Sequence, residues 1–99
     1  MGKLFVIIRK DLPLPHQAVQ AGHAVAKWML ENNGHEWNNS TLVYVTVEDL
    51  DHLTIWGMKL DSRLVKFSAF VEPDQNYEMT AIACYTETNI FSNLKMWGH

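Results

Sequence analysis

Three polar side chains recur at helical spacing near the start of the chain: His16, Gln20 and His23. Positions i, i+4 and i+7 share one face of an α-helix. Two imidazoles on such a face could transfer protons near neutral pH, or bind zinc, copper or nickel. Metal-binding histidines on a helix are usually four residues apart, but the residue four positions after His16 is Gln20, which is a poor metal ligand. A hydrogen-bonded structural role for His23 is therefore favoured over metal binding, and we expect no metal here.

Basic residues come immediately before this helix, where Arg9 and Lys10 are followed by Asp11. In open α/β sheets, ligands gather beyond the carboxyl ends of the strands, and helix N-termini attract anions. Together with His16, these residues could form a site for a phosphate or a carboxylate. A solvated strand end is the other interpretation, and the residue types alone leave both open.

An aspartate and a cysteine later in the chain could also take part in chemistry. Asp74 follows a predicted strand, where a carboxylate could orient a water molecule or hold a histidine. Capping of a turn is the commoner role of aspartate, and the residues alone favour it. Cys84 lies in an apolar run, where cysteine usually behaves as a small hydrophobe. It is the single cysteine, so no intrachain disulfide forms, which fits a reducing compartment.

The elements that carry these residues follow from the apolar patterns of the chain. Leu4–Ile8 is a continuous apolar run, typical of a strand that is buried on both faces. Proline is tolerated only in the first turn of a helix, so the first helix is predicted to begin near Pro15 and to end at about Asn33. Thr41–Val47 is rich in β-branched residues and predicts the second strand.

The second half of the chain continues with one helix and two strands. Leu50–Asp61 carries apolar residues at helical spacing after two acidic residues, which favour a first turn. Leu64–Val71 and Met79–Tyr85 are predicted strands, separated by a turn at residues 72–76. The tail from Thr86 is expected to form a last short helix or to pack irregularly.

The order βαβαββ predicts an α/β fold, in which a mixed four-stranded sheet has helices packed on it. A strand–helix–strand unit implies parallel strands with a right-handed crossover. The last two strands are joined too briefly for a crossover, so that pair is predicted to be antiparallel. A length of 99 residues suits one domain over residues 1–99.

The composition limits the classes of partner. The net charge of −3 argues against broad attraction to nucleic acid, although a local basic patch remains compatible with it. No apolar stretch approaches the length of a membrane span, and the N-terminal run is too short for a signal sequence. We expect a cytoplasmic protein without membrane contact, and homodimerisation as one way for so small a domain to gain stability.

Residues 9–12 read Arg-Lys-Asp-Leu, and residues 17–24 read Gln-Ala-Val-Gln-Ala-Gly-His-Ala. After an apolar strand, these motifs resemble the start of the second class of peptidyl-tRNA hydrolases, the type known from archaea and eukaryotes. That family has an Arg-x-Asp-Leu segment and a helix reading Lys-x-Ala-Ala-Gln-x-Ala-His-Ala. Residues 70–74 and 80–83 are similar to its Asp-Ala-Gly turn and its last Thr-Val-Leu-Gly strand, and the predicted element order matches its fold.

The resemblance implies hydrolysis of the ester between a peptide and its tRNA, without a metal or another cofactor. In the family a water molecule attacks the ester carbonyl, and a lysine, an aspartate and a threonine are implicated. Asp74 takes the place of the aspartate and His16 stands at the position of the lysine, so the resemblance assigns catalysis to these two residues. Binding of tRNA or peptidyl-tRNA is assigned to Arg9, Lys10, Asp11, Gln20 and His23.

Departures from the family pattern lead to a second hypothesis. His16 replaces a lysine, Glu78 stands where the threonine is expected, and the turn after Asp74 lacks the glycine. A domain that kept the fold and lost the chemistry would be a catalytically silent binding domain, because fold does not determine function. The two hypotheses differ in geometry, since an active site requires that His16 and Asp74 face one cleft.

Overall fold

The structure is a computed structural model and describes residues 2–32 and 37–98. Its elements are β1 (Lys3–Arg9), α1 (Leu14–Asn32), β2 (Leu42–Val47), α2 (Leu50–Ser62), β3 (Phe67–Glu72), a 3-10 turn (Pro73–Gln75), β4 (Glu78–Thr86) and β5 (Lys95–Met96). Both helices and the first four strands agree with the sequence prediction to within three residues at each described end. The predicted end of α1 at Asn33 lies outside the described residues.

The sheet has five strands, in the order β3-β4-β1-β2-β5, so the predicted count of four is wrong. The extra strand, β5, pairs antiparallel with β2 through Val45–Met96 and Thr46–Lys95. Two residues are too few to show the alternation by which a strand is recognised in a sequence. The pairing of β5 is a tertiary contact that local pattern does not reveal.

The strand directions confirm the predicted mixed sheet. β1 is parallel to β2, whereas β4 is antiparallel to both β1 and β3. β1, β2 and β3 therefore all run in the same direction and end at one edge of the sheet. This edge, at which Arg9, Val47 and Glu72 end their strands, is called the carboxyl edge below. The loop that leads from β1 into α1 also lies here.

The ends of the two helices follow from local chemistry. Pro15 lies in the first turn of α1, where its missing N–H costs no hydrogen bond. α2 is capped by Asp49, whose carboxylate accepts a hydrogen bond from the N–H of His52 at 3.0 Å. Neither helix of the described ranges is long and apolar enough to cross a membrane.

The two helices cover opposite faces of the sheet. Three buried residues of α1 pack on one face, formed by alternate residues of β1 and β4: Ala21, Ala24 and Trp28 on Leu4, Val6, Ile8, Ala81 and Ala83. Residues of α2 and the tail pack on the other face: Leu53, Trp56, Leu60 and Phe91 on Phe5, Ile7, Ile82 and Cys84. Burial on both faces explains the continuous apolar run of β1.

Candidate functional site

One side of α1 contacts β3 once in each helical turn, up to the carboxyl edge. The contacts are Glu31–Ser68, Lys27–Ala69, His23–Phe70 and Gln20–Glu72. In the third of these contacts, the ring of His23 stacks on that of Phe70, with centroids 4.6 Å apart and an angle of 16° between the planes. The helix therefore runs antiparallel to β3, and its N-terminal end lies at the carboxyl edge.

Gln20 links three elements through its side-chain amide. Its Nε2 donates to Glu72 Oε2 at 2.9 Å, and its Oε1 accepts a hydrogen bond from Thr80 Oγ1 at 2.8 Å. Gln20 is buried and Thr80 has no exposed surface, so both groups need hydrogen-bond partners within the protein. The carbonyl of Phe70, at 3.5 Å, is a second and longer acceptor for Thr80 Oγ1. The amide thereby fixes α1 to the ends of β3 and β4 at the carboxyl edge.

Glu72 is the member of this cluster that the sequence alone did not indicate. Its Oε1 accepts a hydrogen bond from the N–H of Asp74 at 3.3 Å. Hydrogen bonds from Gln20 and from that N–H are the main causes that lower the pKa of Glu72. The available signal was the alternation of the strand, which places Glu72 on the same face as Phe70, two residues earlier, and hence towards α1.

His16 and Asp74, the predicted catalytic pair, are both exposed at the carboxyl edge. Within the described ranges, no hydrogen bond or ion pair joins their side chains. His16 lies one helical turn before Gln20, and Asp74 follows Glu72, the partner of Gln20, by two residues. The structure thus places both residues at the same end of the α1–β3 contact.

Arg9 is buried at this edge and makes four hydrogen bonds. Its Nε and Nη2 donate to the carboxylate of Asp11 at 3.0 and 2.8 Å, and its Nη1 donates to Glu78 Oε1 and to the carbonyl of Met79 at 2.8 and 3.1 Å. The hydrogen bond to Asp11 is the main reason why the pKa of Arg9 is raised and that of Asp11 is lowered. Arg9 thus fixes the loop after β1 to the start of β4.

Lys10 faces the other side of the sheet from Gln20. Its Nζ lies 3.1 Å from Glu48 Oε1, and its side chain lines a cavity together with His52 and Trp56 of α2. Of the five residues predicted to bind tRNA, Gln20 and His23 both contact β3, whereas Lys10 lies on the other face of the sheet.

Gln17 holds the loop between β1 and α1, a role that the sequence alone did not indicate. Its Nε2 donates to the carbonyls of Lys10 and Leu12 at 3.2 and 2.7 Å. Its Oε1 accepts a hydrogen bond from Trp97 Nε1 at 2.9 Å. The residue lies within the motif that resembles peptidyl-tRNA hydrolases. Its position in the first turn of α1, one helical turn before Ala21, was the only local sign of burial.

Among the described residues, no three His, Cys, Asp or Glu side chains cluster as a metal site would require. Cys84 is buried in the core below α2, and burial raises the pKa of its thiol to about 12. A thiol that keeps its proton at neutral pH is a poor nucleophile. The predicted role of Cys84 as a small hydrophobe agrees with this environment.

The chain matches no protein-family model, and no curated protein matches it significantly. Its fold is similar to that of a solved structure from Agrobacterium tumefaciens strain C58, the protein of unknown function Atu0240. The TM-score is 0.73, the sequences are 13% identical, and the alignment covers 96% of each chain. At this identity the likeness establishes the fold and carries no conclusion about function.

Proposed function

We propose that the protein hydrolyses the ester between a peptide and tRNA, or a closely related acyl ester, at the carboxyl edge of the sheet. The observation that carries the proposal is the chain of hydrogen bonds from Gln20 through Glu72 to the N–H of Asp74. This chain ties the turn of Asp74 to the helix that presents His16. Gln20 is also the central residue of the motif that resembles peptidyl-tRNA hydrolases.

The proposed reaction uses the two exposed residues as the reacting groups. Asp74 orients a water molecule, and the imidazole of His16 takes its proton as the oxygen attacks the ester carbonyl carbon. The bond from that carbon to the ribose oxygen then breaks, and the imidazolium returns the proton to the ribose oxygen. The products are a peptide carboxylic acid and free tRNA, and Gln20 and Glu72 are positioning residues.

The proposal is tested by the release of peptide from peptidyl-tRNA by the purified full chain. His16→Ala and Asp74→Asn are each expected to lower kcat/KM by about 10²-fold or more, the usual contribution of a proton-transfer group. Asp61→Asn, an exposed substitution in the last turn of α2, is expected to keep the wild-type rate. Absence of release by the wild type, while a known peptidyl-tRNA hydrolase is active in the same assay, would contradict the proposal.

A catalytically silent binding domain is the second candidate, and it is favoured because no hydrogen bond or ion pair joins His16 and Asp74 within the described residues. The state of Arg9 weakens contact with tRNA under either candidate. The guanidinium is buried against Asp11 and Glu78, so it is not presented to a phosphate backbone. The net charge of −3 also gives little long-range attraction to tRNA. Binding of peptidyl-tRNA without turnover, weakened by His16→Ala, would support this candidate. Homodimerisation stays a prediction under both candidate functions.

A further inference from the structure

The carboxyl ends of β1 and β2 enclose a second candidate site, separate from the cluster around Gln20. These strands are parallel neighbours, and the chain leaves β1 for α1 on one face and β2 for α2 on the opposite face. Such a point, where successive connections leave opposite faces, is where open α/β sheets form a ligand-binding crevice. The crevice here is a cavity of about 200 Å³.

The lining of the cavity combines cationic side chains with an apolar wall. Lys10, Lys95 and His52 contribute positive charge or N–H donors, and Trp56 and Leu94 form the apolar part. His52 Nδ1 lies 2.7 Å from Asp49 Oδ1, and that carboxylate raises the pKa of His52. The imidazole is thereby biased towards the cationic form, in which Nε2 also donates.

Hydrogen bonds within the chain join the walls of the cavity to one another. The N–H of Lys10 donates to the carbonyl of Val47 at 2.9 Å, which fixes the end of β1 to the end of β2. Thr46 Oγ1 donates to the carbonyl of Lys95 at 3.3 Å, so β5 is fixed as the third wall. A preformed site loses less free energy on binding than one that must first be ordered.

We propose that this cavity binds a small molecule that carries a phosphate group. Lysine is an established phosphate ligand, and the lining combines two lysines and the imidazole of His52 with the carboxylate of Glu48. Asp49 pairs with that imidazole from outside the lining. The volume of about 200 Å³ leaves room for one small phosphate ester. Glu48 holds Lys10 at 3.1 Å and therefore competes with the ligand for it.

The test is a nuclear magnetic resonance titration of the ¹⁵N-labelled full chain at constant ionic strength. The probes are inorganic phosphate and glycerol 3-phosphate, with glycerol as the uncharged control. The proposal expects saturable shifts confined to the residues around Lys10, Thr46, His52 and Lys95, and none with glycerol. Shifts that stay linear in concentration, or that spread over the surface lysines, would overturn it.

Charge variants make the test specific for the cavity. Lys95→Met is expected to weaken phosphate binding by about fivefold, the upper range for one exposed ion pair. Glu48→Gln is expected to tighten it, because the competitor of Lys10 is removed. Lys66→Met, an exposed lysine outside the cavity, should leave the affinity unchanged. The proposal is wrong if Glu48→Gln fails to tighten binding, or if a short RNA shifts these residues while glycerol 3-phosphate does not.

Discussion

At the scale of single residues, the amide of Gln20 holds the candidate site together. Glu72 and Thr80 come from neighbouring strands and have opposite needs, since one accepts and the other donates a hydrogen bond. An amide side chain offers a donor and an acceptor on one planar group and so can satisfy both. A carboxylate or an apolar side chain at position 20 would leave one of the two partners unsatisfied.

Gln20 and Thr80 should be coupled in their effects on stability, because their side chains share a buried hydrogen bond. We expect Gln20→Leu to lower the free energy of unfolding by about 1–3 kcal/mol, because the buried hydroxyl of Thr80 loses its acceptor at 2.8 Å and keeps only the carbonyl of Phe70 at 3.5 Å. Thr80→Val should have an effect of similar size. The double variant should lose less than the sum of the two, since both buried polar groups are then gone. Urea unfolding measures all three, and strictly additive losses would show that the two side chains are independent.

The ion pair of Asp11 with Arg9 predicts how stability depends on pH. The pKa of Asp11 is lowered in the folded protein, so the unfolded chain binds the proton more tightly. The stabilisation is therefore fully present above the ordinary carboxyl pKa, near about 4, and is lost as the pH falls through the folded value. Asp11→Asn should reduce the fall of the urea midpoint below about pH 4. Asp61→Asn serves as the control, and an unchanged slope in Asp11→Asn would contradict the assignment.

The sequence indicated part of this cluster and missed part of it, for a physical reason. His16, Gln20 and His23 were visible because helical spacing places them on one face whatever the rest of the fold does. Glu72 was missed because its importance depends on which helix covers β3, and that is a contact between residues 52 positions apart. The burial of Arg9 was hidden for the same reason, since Glu78 lies 69 positions away.

At the scale of elements, the end of α2 shows why one strand boundary was predicted wrongly. Leu64 is apolar and was predicted to begin β3, which in fact begins at Phe67. In the structure Leu64 has a φ of 59°. The N–H of Leu64 donates to Asp61 O and that of Val65 to Leu60 O. This is the Schellman arrangement, in which the left-handed residue is usually glycine.

Replacement of this leucine by glycine should stabilise the protein. The side chain of Leu64 is 93% exposed, so its removal costs little packing, whereas the left-handed conformation costs a non-glycine residue about 1 kcal/mol. Leu64→Gly is therefore expected to raise the free energy of unfolding by up to about 1 kcal/mol. Leu64→Ala keeps the Cβ atom and should not bring this gain. Thermal unfolding of the two variants distinguishes backbone strain from loss of the side chain.

At the scale of the whole molecule, the tail acts as a third covering element of the sheet. Phe91 is buried, and its ring lies 4.8 Å from that of Phe5 and 5.0 Å from that of Trp56, between centroids. The parallel and antiparallel pairings were predictable, because connection length limits them. The strand order and the role of the tail were not, because both depend on contacts between residues far apart in the sequence.

Truncation of Phe91 tests whether the tail belongs to the core. Phe91→Ala is expected to lower the free energy of unfolding by about 3–5 kcal/mol, the usual cost of a large cavity in a core. Met96→Ala, in the same tail but with its side chain mostly exposed, should cost far less. Urea unfolding of both variants provides the comparison. Equal effects would mean that the segment packs on the sheet without completing its core.

The hydrogen bond between Gln17 and Trp97 has a consequence for biosynthesis. Its partners are 80 positions apart, and a ribosome synthesises the earlier one first. The hydrogen bonds of Gln17, which hold the loop before α1, are therefore incomplete until Trp97 has left the exit tunnel. Until then Gln17 Oε1 lacks this hydrogen-bond donor in the nascent chain.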